Sequence, residues 1–227
     1  MLFRSLDGLP EERRSELDPL LNAWQTAHAG ARTGMLDLLD SKAHAQFKKE
    51  FARFLGTAGA GAPPESDVPL PDRVREAVPL LVVGSYAAVR AYEGRVEGRD
   101  TPLPRLHQLR IAAKRLRYTL EFFREILPTE VEALIDRIKE LQEHLGNLQD
   151  AVVTCGILRD FLTWGTWGDH RAETAAAPGV VVAPGVATYL SVRQAELQRL
   201  VKGFPAVWEK VSGEDFRRQV FAVVTGL

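Results

Sequence analysis

Apolar residues recur every three or four positions along most of this chain and almost nowhere alternate, a pattern that predicts helices and no sheet. From 11 to about 40, Leu17, Leu20, Leu21, Trp24, Met35, Leu38 and Leu39 mark a long helix, weakened locally by Gly30 and Gly34. Ser41 is placed to cap a second helix, in which Phe47, Phe51 and Phe54 form an apolar face. Residues 56–71, rich in Gly, Ala and Pro, read as a loop or linker. From 72 to about 98, Val74, Val78, Leu81, Val82, Val89, Tyr92 and Val96 fall near one side of a third helical region, with Pro79 as a kink or a start.

In residues 101–127, Thr101 is placed as an N-cap and Pro102 as the first helical residue, and the helix is expected to run until just before Pro128. Leu106, Leu109, Ala113, Leu116 and Leu120 form its apolar stripe. Beyond Pro128, Thr129 is placed to cap a helix reaching about 161. Its Leu134, Ile138, Leu141, Leu145, Leu148 and Val152 alternate spacings of four and three, a heptad seam. Residues 165–185 break all periodicity and read as a loop, and Val180 to Val182 is too short for a sheet. Helices from about 186 to 211 and from 213 onward close the chain.

Two further features concern organisation. Leu2, Phe3 and Leu6 read as the last turn of a helix whose beginning lies before the sequence. The stretch Phe47-Lys-Lys-Glu-Phe-Ala-Arg-Phe-Leu resembles Phe216-Arg-Arg-Gln-Val-Phe-Ala-Val-Val, each behind a serine-marked break and a long helix. Residues 1–55 therefore read as the rear of a unit whose full version spans 72–227, joined by the 56–71 linker.

The 227 residues allow one large domain or two small ones, and 45% hydrophobic with 26% charged residues is ordinary for a globular protein. A formal net charge of −1 excludes a global basic field, so any anion site must be built by local clustering. The single cysteine, Cys155, excludes an intrachain disulfide, fits a reducing cytoplasm, and reads as a small packing residue. No apolar run approaches 18 residues, so no membrane span or membrane partner is expected, and the start lacks the apolar core of a signal peptide.

Local clustering occurs in one place. His107, Arg110, Lys114 and Arg117 form a second stripe, beside the apolar one, at spacings of three and four. Window 101–120 also holds Arg105 and Arg115 and has no Asp or Glu. Like charges at these spacings repel by a few tenths of a kcal/mol per pair. Acceptance of that repulsion without acidic relief suggests an anionic partner; a solvated helix face is the plain alternative.

The segment His107-Gln-Leu-Arg110-Ile-Ala-Ala-Lys114-Arg115-Leu-Arg117-Tyr118, followed by Ile138-Lys139-Glu-Leu-Gln142-Glu-His-Leu145-Gly146-Asn-Leu-Gln-Asp150, resembles the CHAD family, α-helical domains named for their histidines. The resemblance covers 72–226 well and 2–55 as the end of a first repeat. It implies an all-α fold of helical-bundle repeats, with one complete four-helix repeat and the rear helices of a first. It implies binding of inorganic polyphosphate around a basic cavity, with residence in the cytoplasm at polyphosphate granules. Site residues implied are His107, Arg110, Lys114, Arg115, Arg117 and Lys139, while Asp150 would orient a basic side chain. The first repeat's own His-x-x-Arg helix is missing from the sequence.

The catalytic signatures sought are absent from the sequence: it has no P-loop, no HExxH and no cysteine pair for zinc. His28, His44, His144 and His170 have no metal-ligand spacing among themselves and read as surface or packing residues. No cofactor, metal or catalysis is expected. Two function classes stay open: a polyphosphate-binding module, and a helical interaction protein whose basic face meets an acidic protein or nucleic acid. The apolar residues of the incomplete first repeat, Leu20, Trp24, Leu38, Phe47 and Phe51 among them, need cover, and three sources stay open: the second repeat, another copy in a homodimer, or the rest of a longer protein from which the stretch is cut; of these, self-association is the favoured expectation.

Overall fold

The heptad-spaced residues after Pro128 build the longest element, α5 (Val131–Trp164), roughly 50 Å at 1.5 Å per residue. Leu134, Ile138, Leu141, Leu145 and Leu148 on its seam are all buried, together with Ile135 and Ala151. Gly165 ends it at φ +71°, a left-handed cap that suits a residue without Cβ, with its N–H bonded to the Phe161 carbonyl at 2.8 Å.

The structure is a computed structural model that describes residues 15–62, 73–96, 101–166 and 181–227, and all regular structure among them is helical. A 3-10 turn (Ser15–Leu17) leads into α1 (Asp18–Leu39), followed by α2 (Lys42–Gly56), α3 (Val74–Arg90) and α4 (Leu103–Phe122). After α5 come α6 (Pro184–Ser212) and α7 (Glu214–Thr225). The expected readings of Leu2, Phe3 and Leu6, of most of the linker, and of the loop around Trp167, His170 and Val180 lie outside the described residues.

The main core is drawn from five helices. Val78, Val82, Tyr86 and Val89 of α3, the leucine stripe of α4 and the seam of α5 meet Phe204, Trp208 and Val211 of α6 and Phe216, Val220 and Val223 of α7. A second, smaller core sits at the far ends of α5 and α6. There Leu158, Phe161, Val186 and Tyr189 cover Leu17 and Leu20 at the foot of α1. Among the described residues, the first helices thus bury apolar side chains on the rest of the chain only at their foot. Beyond it, α1 turns into α2 and the pair stands as a hairpin with no buried residue on α2.

The ends of several elements depart from the sequence expectation. Ser41 caps α2 as expected, its hydroxyl accepting the His44 N–H at 3.1 Å. Thr101 does not cap α4: Pro102 takes the N-cap position, and the buried Thr101 hydroxyl has no hydrogen-bond partner among the described residues. That helix stops at Phe122, because the chain tightens into turns that carry Leu127 into the main core. Thr129 donates to the adjacent Glu130 carboxylate instead of capping α5. Pro79 lies inside α3.

Candidate functional site

The apolar stripe of α4 decides where its cations go. Leu106, Leu109, Ala113, Leu116 and Leu120 are buried between α3 and α5. Turned by a fraction of a helical turn, the next flank lies along the groove between α4 and α5. Positions 110, 114 and 117 repeat at four and three, so their side chains point the same way. On α5, Lys139, Gln142 and Glu143 share a flank by the same rule, and it faces them.

The two flanks enclose an open cleft of about 420 Å³, lined by Arg110, Lys114, Arg117, Tyr118, Lys139, Gln142 and Glu143. Four cations from two helices therefore face one space, with one carboxylate among them. Tyr118 organises two of the cations. Its ring has the Lys114 Nζ at 5.4 Å and the Arg117 Cζ at 4.9 Å from its centroid, both within cation–π range. Arg117 is further steadied by the Glu121 carboxylate, 3.8 Å from its Nε, a distance for attraction but not for a hydrogen bond. Lys139 lies 3.4 Å from Asp136 one turn back on its own helix.

The Arg110 guanidinium reaches across to α5 at Gly146, its Nε 3.8 Å from where a Cβ on that glycine would stand, a distance of ordinary van der Waals contact. Three polar nitrogens on this side of the molecule are closed off from solvent and have no hydrogen-bond partner among the described residues: His107 Nδ1, Arg117 Nε and Gln142 Nε2. A buried unpaired donor costs about 1–3 kcal/mol, so Arg117 Nε and Gln142 Nε2 are donors in want of an acceptor.

Of the residues expected at the site, Arg110, Lys114, Arg117 and Lys139 line the cleft together. His107 is half-buried one turn before Arg110 and does not line it. Arg115 is exposed and points away, since one residue on from Lys114 turns the side chain by about 100°. Asp150 is half-buried on α5, and among the described residues no ion pair joins its carboxylate to a basic side chain. Sequence reasoning missed Tyr118, Gln142 and Glu143 as lining residues. The signal was present: Tyr118 is four residues past Lys114, and Gln142 and Glu143 are three and four past Lys139.

The other candidates resolve into structural parts. His144 Nε2 donates to the Leu200 carbonyl at 2.8 Å and ties α5 to α6. His28 stacks on Trp24, with ring centroids 5.1 Å apart. Cys155 is buried, and that burial pushes its thiol pKa up, the condition of a packing residue. Among the described residues no group of three His, Cys, Asp or Glu is placed to hold a metal ion, and no helix is long and apolar enough to cross a membrane.

A family model described as the CHAD domain matches residues 2–159. The match runs from α1 across the Gly/Ala/Pro stretch and ends within α5, so it contains every residue of the cleft while α6 and α7 lie beyond it. No curated protein matches the chain.

Proposed function

The chain belongs to the CHAD family, and from that premise we propose that it binds inorganic polyphosphate in the α4–α5 cleft, without turning it over. The observation that carries the reading is the convergence of Arg110, Lys114, Arg117 and Lys139 on one open space from two helices. Polyphosphate has roughly one negative charge per phosphate and no base edges to read. Its receptor needs spaced cations and a surface that water and polymer can reach. Arg110 and Arg117 offer planar forks for pairs of phosphate oxygens, and Lys114 and Lys139 offer compact point charges. Tyr118 supports the reading by holding two of the four in place before any ligand arrives, which reduces the ordering cost of binding.

Glu143 is the one lining group that repels phosphate, and it sits beside Gln142 at the α5 side. The chain of phosphates is therefore expected to follow the α4 wall, where three of the four cations stand. A single-stranded nucleic acid would use the same cations and stack on the half-exposed Tyr118. Competition separates the two: polyphosphate should displace RNA at equal phosphate concentration.

The test is the double variant Arg110→Glu with Lys114→Glu. Both side chains lie off the buried stripe, so helical circular dichroism and melting should stay nearly unchanged while polyphosphate binding is lost. A double variant that keeps its affinity would show that the polymer binds elsewhere. One that unfolds would show that these side chains hold the fold.

A further inference from the structure

We propose that the α1–α2 hairpin is a dimerisation element that pairs two copies of this chain, face to face about a two-fold axis. The inference does not depend on what the α4–α5 cleft binds.

The starting observation is an apolar surface that the described residues leave bare. Met35, Leu36, Leu38 and Leu39 near the end of α1 and Phe47, Phe51, Phe54 and Leu55 on α2 are all exposed, with Leu38 at 64% and Phe47 at 59%. The three phenylalanines form a continuous ladder, with centroids 5.8 and 6.4 Å apart along it. Single exposed apolar residues are ordinary, but a contiguous surface of this kind marks an interface.

The chain itself shows what such a surface requires. Phe47, Phe51 and Phe54 on α2 repeat the spacing of Phe216, Val220 and Val223 on α7. Met35 and Leu38 near the end of α1 repeat the spacing of Trp208 and Val211 near the end of α6. In α6 and α7 every one of these positions is buried in the main core, where α6 packs on α5 and α7 on α3 and α5. The same apolar hairpin thus occurs twice: once buried in the main core, and once, among the described residues, with only its foot, Leu17 and Leu20, under cover.

A second copy fits the bare face in area and in charge. At their present exposures the eight side chains offer on the order of 100 Å² each, so one copy presents roughly 800 Å², the area per partner of a standard stable interface. Within the hairpin, α1 and its cap carry Asp18, Asp37 and Asp40 against Arg32, while α2 carries Lys42, Lys48, Lys49 and Arg53 against Glu50. A two-fold axis that sets α1 of one copy across α2 of the other places acidic helix beside basic helix on both sides. The product is an antiparallel four-helix bundle with the Phe ladder inside.

Sedimentation or light scattering of the full chain across concentration tests this. The expected result is a monomer–dimer equilibrium, with mostly dimer by about 100 µM, and a dissociation constant raised at least tenfold by Phe51→Asp. Because Phe51 is exposed, that variant should keep its helical content. Leu80→Glu, on the exposed outer face of α3, is the control and should leave the dimer intact. A wild-type monomer at that concentration would overturn the proposal and assign the face to a different partner. Open-ended growth with concentration would overturn the two-fold pairing, as would a dimer broken by Leu80→Glu but not by Phe51→Asp.

Discussion

At the scale of residues, one position along a helix separates a ligand-facing cation from a surface charge. Lys114 and Arg115 are neighbours in a run that reads as uniformly basic, yet Lys114 lines the cleft beside Tyr118 and Arg115 faces away. Lys114→Glu is therefore expected to weaken polyphosphate binding at least tenfold, since it removes one phosphate contact and adds a repulsion, whereas Arg115→Glu should change it less than about threefold. Equal losses from the two would mean that net charge, not the cleft, governs binding. The helical period made Arg110, Lys114 and Arg117 legible in the sequence. The partner wall was only half legible: Lys139 was found, but which face of α5 meets α4 depends on how the two helices cross, and no spacing within either helix records that. The approach of Arg110 to Gly146 shows the same limit, because it exists only once the helices are packed.

At the scale of elements, the apolar period locates helix interiors, while several helix ends depart from the local signals. The α4 stripe is buried residue for residue and so is the α5 seam from Leu134 to Leu148, with Val152 partly buried. Ends are decided by competition between local caps and tertiary pull. Thr101 has the right chemistry for a cap, but its hydroxyl is buried with no partner among the described residues, and Leu127 is drawn into the core where a longer helix would have carried it past. The seam of α5 holds the α4 wall of the cleft in place only by packing. Leu141→Ala is expected to cost about 2–5 kcal/mol of stability, seen as a lower denaturant midpoint. At a temperature where the variant is still folded, its affinity for polyphosphate should match the wild type, because Leu141 is fully buried and turned away from the cleft.

At the scale of the whole molecule, no spacing within residues 15–56 records where the foot of the hairpin docks. Leu17 and Leu20 meet Leu158, Phe161, Val186 and Tyr189, residues more than 130 positions away in sequence. Both cores contain a phenol whose pKa burial drives above its ordinary value. Tyr86 is raised by burial, with Arg90 opposing, and its hydroxyl has no hydrogen-bond partner among the described residues. Tyr189 is raised by burial, with Arg193 opposing, and the nearby Cys155 thiol is raised in the same way. A group whose folded pKa is raised keeps its proton where the unfolded chain has lost it, so its contribution is complete below the unfolded pKa and is lost as pH rises through the folded one. Stability should therefore be level through neutral pH and fall as pH climbs above about 9. Tyr86→Phe keeps the ring against Phe216, removes the unpaired hydroxyl, and should make that alkaline fall shallower. A melting temperature that declines equally in wild type and variant between pH 9 and 11 would contradict the assignment to Tyr86.

The claim that four cations in one cleft hold a polyanion is tested most directly by titrating the full chain with long-chain polyphosphate at two salt concentrations. Each phosphate charge neutralised by Arg110, Lys114, Arg117 or Lys139 releases condensed counterions. With the coefficient of about 0.7 per contact found for single-stranded nucleic acids, four contacts give a slope near −3 in log affinity against log salt, or about a 50-fold loss between 50 and 200 mM. A slope near −3 in the wild type, reduced by about one in Lys114→Ala, is the predicted result. An affinity that does not change across that range would contradict the account, since it would mean that the ligand is held by shape or apolar contact and not by these cations.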